Sequence, residues 1–381
     1  MTQDAHITTD FAVIGAGIAG TSVACELAAG ASGVLLEMES TPGYHTTGRS
    51  AAVFAPCYGP QPIRDLTRAS EAFFRAPPKG FADVPLFSPR PILMIARKDQ
   101  RATLDTLTDS VATETVVRRL SGSDLTEVQP LLRDGYASDG MLDELGQDIE
   151  VNALHQGYLR QFKARGGKVM TAAGVTALEW DGNAWRIGTS KGEVRAAVII
   201  NAAGAWADDI GALAGAEQIG LVPKRRTAIM IANHATIKTA HLPITIDVDE
   251  EFYLKPDAGR LLISPADTTP SAPCDAQPEE MDIAIGADRI MTAFDLDIRR
   301  IENSWAGLRS FVADGAPVVG YAQGTPGFFW LAGQGGYGIQ SAPAMARFAA
   351  AAALGRPVPD ALAETGFDPD SVSPARLKRA S

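Results

Sequence analysis

One segment near the start of the chain constrains its fold more than any other. Residues 11–20 read Phe-Ala-Val-Ile-Gly-Ala-Gly-Ile-Ala-Gly, four apolar residues followed by three spaced glycines, Gly15, Gly17 and Gly20. The apolar run predicts a buried β-strand, and the glycine spacing predicts a tight turn where a pyrophosphate approaches the backbone and a helix packs closely. Glu37 ends the next apolar run, where a carboxylate can accept the hydroxyls of an adenosine ribose. An ordinary glycine-rich turn would leave Glu37 unexplained, so we predict a dinucleotide site.

Size, charge and cysteines narrow the class of protein. The chain has 381 residues, enough for two domains, and its net charge of −11 argues against a nucleic-acid partner. No apolar run approaches the roughly 20 residues of a membrane span, and the polar start predicts no secretory signal. Cys25, Cys57 and Cys274 are isolated and lack the spacing of metal ligands. We therefore expect a cytoplasmic protein with reduced thiols, without a membrane span or a metal site.

The nucleotide-binding pattern is split along the chain. A second apolar strand at 194–201 runs into a glycine turn, and a third at 328–332 precedes a glycine-rich turn and the helix 339–354. The strands predicted between 221 and 311 are typical of an antiparallel sheet. We predict an α/β fold with a discontinuous Rossmann-like FAD-binding domain and an α+β substrate domain. The FAD-binding domain is predicted at 1–80, 150–220 and 312–381, and the substrate domain at 81–149 and 221–311. Such a split favours a tightly held FAD over a nicotinamide cofactor, whose simple domains are contiguous.

Several long segments occur in one order along nearly the whole chain. They are GAGIAG at 15–20, PGYHTTGRSAA at 42–52, ALHQGYLR at 153–160, NAAGAW at 201–206, PKRR at 223–226, FYLKPDAG at 252–259, WAGLRSFVADG at 305–315 and QGGYGIQ at 334–340. This set resembles the FAD-dependent glycine/D-amino-acid oxidase superfamily, and within it the bacterial D-arginine dehydrogenases. The resemblance is specific for fold, cofactor and reaction, and weaker for substrate.

The resemblance implies a non-covalent FAD, although His45 and Cys57 lie in the segment that borders the flavin ring. It implies that a helix N-terminus lies at the flavin C2 carbonyl, where its dipole would stabilise the charge of the reduced flavin. The implied cofactor residues are Gly15, Gly17, Ile18, Ala19, Gly20, Glu37, Thr47, Gly48, Arg49, Ser50, Ala51, Val175, Ala203, Gly204, Trp206, Gly307, Arg309, Gly335, Gly336, Tyr337, Gly338, Ile339 and Gln340.

For the substrate, the resemblance implies a carboxylate clamp of Arg226 and Arg309 beside Tyr253. A guanidinium fork matches a carboxylate bidentately, which fixes the position and the rotation of a bound amino acid. In a strand only one of two adjacent arginines can face a pocket, and the resemblance selects Arg226 over Arg225. An isolated arginine would otherwise be expected in a surface ion pair. The remaining implied substrate-side residues are His45, Thr47, Asp83, Phe54 and Gln340.

Two positions depart from the D-arginine dehydrogenase pattern. Asp83 stands where that group has a glutamate that meets the cationic side chain of the substrate, and Phe54 stands where it has a tyrosine. Aspartate keeps the charge but withdraws it by one methylene. Asp83 is therefore either a recognition carboxylate for a cationic D-amino acid or a solvated loop residue beside a pocket for neutral side chains.

The expected activity is oxidative deamination of D-amino acids, including basic ones such as D-arginine and D-lysine. Hydride transfer from the α-carbon to flavin N5 would give an imino acid that hydrolyses to a 2-oxo acid and ammonia. The alternatives are an enzyme of the same fold acting on sarcosine-like secondary amines or 2-hydroxy acids, a binding protein without flavin chemistry, and a nicotinamide-dependent dehydrogenase. The sequence leaves the electron acceptor open between a quinone, another carrier and oxygen.

Overall fold

A computed structural model describes residues 7–380, so Met1–His6 and Ser381, which belong to the predicted FAD-binding domain, lie outside the described part. The strands are β1 Ile7–Ile14, β2 Gly33–Leu36, β3 Val53–Phe54, β4 Phe87–Pro89, β5 Ile92–Ala96, β6 Val117–Ser121, β7 Asp139–Asp143, β8 Gln147–Ile149, β9 Lys168–Met170, β10 Val175–Trp180, β11 Trp185–Thr189, β12 Gly192–Asn201, β13 Val222–Ile231, β14 Ile244–Asp247, β15 Tyr253–Asp257, β16 Arg260–Ser264, β17 Ile301–Phe311, β18 Val318–Tyr321 and β19 Phe328–Ala332. The α-helices are α1 Ile18–Leu27, α2 Gln61–Arg75, α3 Arg101–Val111, α4 Ser123–Val128, α5 Val151–Ala164, α6 Ala207–Leu213, α7 Glu280–Ala293, α8 Gly338–Ala353 and α9 Asp360–Ala363.

The first sheet is built around β1. It has the order β10-β11-β12-β1-β2-β9, and β19 pairs in parallel with the end of β12 while β18 pairs with β19. The last four residues of β1 are buried, and successive side chains enter opposite faces of the sheet. Phe11 and Val13 contact the core that contains α1, α5 and α8, whereas Ala12 and Ile14 contact the core on the other face. This explains why the strand is an uninterrupted apolar run.

The second sheet has eight strands in the order β17-β13-β16-β15-β14-β5-β7-β6. Its neighbours pair antiparallel, except that β5 and β14 pair in parallel, so the sheet is mixed where a purely antiparallel one was expected. β5 lies inside the sheet between β14 and β7, because Pro89 and Pro91 flank its apolar residues without interrupting them. A small third sheet has the order β3-β8-β4.

Two side chains on the helices beside β1 are buried. Cys25 is buried on α1. His155 on α5 is also buried, and its Nε2 lies 2.9 Å from the carbonyl oxygen of Ala16. His155 is therefore a hydrogen-bonded core residue, and it supports the turn between β1 and α1. Within residues 7–380, no helix has both the length and the apolar composition that crossing a membrane requires.

Candidate active site

Two of the three glycines of the first turn, Gly15 and Gly20, are required by close packing. Gly15 has a φ of +99°, and a Cβ there would lie 2.4 Å from the carbonyl oxygen of Ala202 at the end of β12. A Cβ at Gly20 would lie 1.8 Å from the carbonyl oxygen of Gly15. The turn and α1 therefore approach each other more closely than any side chain permits. Gly17, directly before α1, lines a cavity, so the N-terminus of the helix faces a space where a phosphate could lie.

Glu37 lies at the end of β2 and is almost completely buried. Its carboxylate accepts hydrogen bonds from the backbone N–H of Ala16 at 2.8 Å and of Glu39 at 2.9 Å. Both bonds leave acceptor capacity on the carboxylate, because each oxygen has two lone pairs. It faces a cavity of about 1040 Å³, the Glu37 cavity, which is also lined by Gly15, Val175, Ala203, Gly204 and Trp206.

The loop after β2 forms one wall of the Glu37 cavity. Thr47 Oγ1 accepts the N–H of Ile18 at 2.9 Å, which places the hydroxyl at the N-terminus of α1. His45 Nε2 lies 3.0 Å from a carboxylate oxygen of Glu39, and its ring packs against that of Trp206. His45 lines the Glu37 cavity and neither of the cavities that contain Arg226 and Arg309, so its position does not support the expected approach to the substrate. Thr47 lines the Glu37 cavity and also the cavity described next, which contains both arginines.

A second cavity, the central cavity, adjoins the first. It has a volume of about 980 Å³, shares Gly17 and Thr47 with the Glu37 cavity, and is also lined by the glycine-rich segment before α8. Gly336 in that segment leaves room for an arginine: a Cβ there would lie 2.9 Å from Nη1 of Arg309. The first residues of α8, Gly338 and Ile339, also face this cavity, so the N-terminus of the helix points its dipole into it.

Arg226 and Arg309 converge from neighbouring strands. In the antiparallel pair β13 and β17, Arg226 is opposite Gly307 and Lys224 is opposite Arg309. The two arginines are thus diagonal neighbours on one face, about 7–8 Å apart at their backbones and within reach of each other's long side chains. Both line the central cavity. Within the described chain neither forms an ion pair with an acidic side chain, which leaves two cationic groups open to an anion.

Arg226 is buried and held in place. Its Nε donates to the backbone carbonyl oxygen of Asp267 at 3.0 Å, and the carboxylate of Asp267 accepts the N–H of Thr227. Burial and the nearby guanidinium of Arg309 lower the pKa of Arg226, and a bound carboxylate would counteract both effects. Arg225 faces the opposite side of the strand and binds the carboxylates of Asp282 and Glu279. The strand therefore presents one arginine to the cavity, and it is Arg226.

A third space, the clamp cavity, lies beyond the two arginines. Its volume is about 710 Å³, and Arg226, Arg309, Tyr253, Tyr58 and Gln340 contribute to its lining. The side-chain oxygen of Gln340 accepts the N–H of Ala55 at 3.0 Å, but its buried Nε2 has no hydrogen-bond partner within the described residues. A buried donor without a partner is costly, so this amide favours a ligand with an acceptor oxygen.

The clamp cavity opens into a wider outer space of about 1210 Å³, the vestibule, which α3 borders. Tyr58, Tyr337 and Glu250 line both spaces, and the rings of Tyr58 and Tyr337 pack edge to face at 5.3 Å. Burial raises the pKa of Tyr58 well above its usual value, so its hydroxyl stays neutral. These residues form the passage between solvent and the arginines.

The structure brings most of the predicted cofactor residues to the cavities and leaves out two. Gly20 packs inside the turn, and Gly48 closes the loop by donating its N–H to Gly43 O at 2.8 Å. Arg49 lines the central cavity, but its guanidinium donates to the carbonyl oxygens of Ala276 and Ala306. The others that line the central cavity are Ile18, Ala19, Ser50, Ala51, Gly204, Gly307 and Gly335.

Two predicted substrate residues lie outside the four cavities. Phe54 is completely buried and packs against the rings of Phe74 and Phe87, because β3 directs this side chain into the apolar core. Asp83 is exposed on the loop before β4, whose apolar anchor Phe81 is buried against α5. Neither position supports the expected contact with a substrate side chain.

Sequence reasoning missed Tyr58 and Glu250. Tyr58 follows the recognised segment 42–52 by six residues, in a Cys-Tyr-Gly-Pro turn that could have been noted as its continuation. Glu250 gave no signal, because it occupies a left-handed position, with a φ of +58°, that glycine normally marks.

Comparisons with known proteins agree with this geometry. A family model described as FAD dependent oxidoreductase, DAO, matches residues 10–352. The chain belongs to this family. It is an FAD-dependent oxidoreductase, and the residues fit that cofactor: the Gly15 turn, the open Glu37 carboxylate and the adjoining cavities suit an extended dinucleotide.

The chain is similar to several named members of this family and to solved structures of the same fold. The chain is 24% identical to glycine oxidase of Bacillus licheniformis over 368 residues, covering 92% of this chain and 94% of that protein. It is 26% identical to mitochondrial dimethylglycine dehydrogenase of Mus musculus over 246 residues, which cover 58% of this chain. The chain thus matches only 28% of the length of that relative. The structure of L-proline dehydrogenase from P. horikoshii has the same fold, with a TM-score of 0.83, 19% identity and 99% coverage of both chains. The narrower resemblance to D-arginine dehydrogenases is not confirmed by these relatives.

Proposed function

We propose that this FAD enzyme oxidises D-amino acids, including basic ones, to imino acids that hydrolyse to 2-oxo acids and ammonia. Bound FAD would supply the hydride acceptor for the hydrogen on the substrate α-carbon. The chain's own contribution is to hold the amino acid by its carboxylate so that the α-carbon is presented to the central cavity.

The observation that supports this proposal most strongly is the convergence of Arg226 and Arg309 without an acidic partner. Two cationic forks facing one cavity match a single carboxylate, with charge-assisted hydrogen bonds roughly twice as strong as neutral ones. Tyr253 lies on both the central and clamp cavities, and we assign its hydroxyl to the same carboxylate. A ligand held at these points cannot rotate, which fixes the face of its α-carbon.

The names of the relatives support a carboxylate next to an amine. Glycine, dimethylglycine and proline share that unit, and each lacks a large side chain beyond it. A secondary or tertiary amine is therefore the second candidate substrate, favoured by the dimethylglycine and proline enzymes. Both candidates use the same arginines, and they differ in the configuration and substitution of the carbon and nitrogen.

We also propose the limits of the two domains, the assignment of the cavity residues to FAD, and a cytoplasmic location, all of which the sequence supports. Non-covalent binding of FAD is also proposed. Cys57 is buried beside Asp143, outside the four cavities, and His45 is engaged by Glu39, which gives neither residue an evident route to the flavin ring.

Anaerobic mixing of the purified flavoprotein with candidate substrates tests the proposal. D-lysine, D-norleucine, their L-enantiomers, N-methylglycine and L-proline are added in turn, and loss of the flavin absorbance band near 450 nm is followed. Reduction by the D-amino acids supports the proposal. Reduction by N-methylglycine or L-proline alone replaces it with amine oxidation, and reduction by none of them refutes both. An Arg226→Lys variant should lose at least about tenfold in kcat/KM on the true substrate, because lysine cannot bind bidentately.

A further inference from the structure

The hairpin turn between β14 and β15 presents a carboxylate to the passage. Glu250 lies in this turn, three residues before Tyr253. Its backbone φ is +58°, a value that residues other than glycine and asparagine rarely adopt. Such a conformation costs on the order of 1–3 kcal/mol and persists only where surrounding contacts enforce it. An outlier of this kind beside a cavity motivates a functional role.

The contacts that enforce the turn are on Asp247, at the end of β14. Its buried carboxylate accepts both bonds from Gln100 Nε2, at 3.0 and 3.1 Å, and the N–H of Asp249 at 3.0 Å. The backbone oxygen of Asp247 accepts the N–H of Glu250 at 2.8 Å. The turn is thus fixed to the segment before α3, and Glu250 is held in one position relative to the sheet.

Glu250 faces two arginines across the clamp cavity. It is the only carboxylate among the described residues that line the clamp cavity and the vestibule, and it forms no ion pair there. Arg226 and Arg309 line the opposite part of the clamp cavity, and Ile244, Ile246 and Ala266 form an apolar wall of the same space. The arrangement runs from cations through an apolar surface to an anion.

We propose that Glu250 recognises a cationic group at the far end of the substrate side chain, which makes it a specificity-determining residue for basic amino acids. This inference rests on the proposed function. The substrate carboxylate binds Arg226 and Arg309, the methylene stem lies along the apolar wall, and the terminal ammonium or guanidinium donates hydrogen bonds to the carboxylate of Glu250. The α-amino group is excluded as its partner because Glu250 does not line the central cavity, where the α-carbon is presented. The role first expected for Asp83 therefore passes to Glu250.

The experiment compares Glu250→Gln with two control variants, Asp249→Asn on the same turn and Asp83→Asn on the exposed loop. For each FAD-loaded protein, kcat/KM is measured for D-lysine and for D-norleucine, which has a similar stem without the ammonium. Glu250→Gln should lower the D-lysine to D-norleucine ratio about 10- to 100-fold, the loss of one charged hydrogen bond, with D-norleucine changed less than about twofold. Both controls should keep the wild-type ratio. An unchanged ratio in Glu250→Gln, or an equal loss for both substrates, overturns the inference.

A binding measurement separates this inference from the proposed function. Dissociation constants of 6-aminohexanoate and hexanoate, which cannot be oxidised as amino acids, are taken from their perturbation of the flavin spectrum. Wild type should prefer 6-aminohexanoate, and Glu250→Gln should abolish the preference even if no D-amino acid reduces the flavin. Equal binding of both acids by wild type overturns the inference. If Glu250→Gln does not retain FAD, Glu250→Asn replaces it, since asparagine tolerates the left-handed backbone.

Discussion

Alanine at position 336 should damage substrate binding while leaving the fold intact. The added Cβ would lie 2.9 Å from Nη1 and 3.0 Å from Cζ of Arg309. Non-bonded heavy atoms prefer about 3.5 Å or more, so the guanidinium must move by roughly 0.5 Å. The moving group is the end of a flexible side chain, and Gly336 itself has no positive φ. The cost to folding is therefore small.

The cost to binding is larger because a bidentate pair depends on alignment. Losing one charge-assisted hydrogen bond costs about 1.5–3 kcal/mol, which corresponds to about 10- to 100-fold in affinity. The dissociation constant of a non-reacting carboxylate, read from the flavin spectrum, and kcat/KM should both worsen by that factor in Gly336→Ala. Gly30→Ala is the matched control, because a Cβ there has no atom within 4 Å.

Two results would refute this reasoning. Carboxylate affinity within about twofold of wild type would mean that Arg309 tolerates the displacement or does not bind the carboxylate. Loss of FAD from Gly336→Ala, with FAD retained by Gly30→Ala, would mean that the methyl group disturbs the cofactor and not the arginine.

Three further predictions concern single side chains. Arg226→Gln should lower kcat/KM at least about 100-fold, whereas Arg225→Gln, whose partners lie on the opposite side of the strand, should change it less than about threefold in the same steady-state assay. Glu37→Ala should raise the dissociation constant of FAD about tenfold or more, measured by flavin fluorescence, because two backbone N–H groups lose their acceptor. Burial lowers the pKa of His155 below 6.5, so the unfolded state binds a proton more readily. The free energy of unfolding should therefore fall as pH drops below 6.5, by up to about 1.4 kcal/mol per unit, and His155→Gln should flatten that dependence in urea unfolding.

Local sequence patterns were sufficient to predict much of the fold. The glycine turn of β1 and α1, the hairpin of β10 and β11 with its Asp181-Gly182 turn, and the amphipathic helix α5 were all predictable, because each depends on contacts close in sequence. The parallel pairing of β5 with β14 was not. It joins segments about 150 residues apart, and nothing within either segment specifies the partner.

The candidate site was likewise predictable only where local patterns or the family resemblance specified it. Which of Arg225 and Arg226 faces the cavity depends on the pairing of β13 with β17, and only the family resemblance indicated it. That resemblance failed to predict the surroundings of Phe54 and Asp83, because a matched position does not determine where a loop directs its side chain. Glu250 was missed because its backbone conformation is enforced by Asp247 and Gln100, which no local pattern connects to it.

The interleaved order of the first sheet has a consequence for synthesis on the ribosome. β1 is completed early, yet β19, which pairs with β12, and α8, which packs on α1, come from the last part of the described chain. Translation proceeds at about 5–20 residues per second, so many seconds pass after the synthesis of α1 before α8 is available to cover its apolar face. During that interval the nascent chain exposes apolar surface, which makes partly folded chains prone to aggregation. The second sheet is fully translated within this interval, because its last strand, β17, ends at Phe311, before β19 and α8 begin.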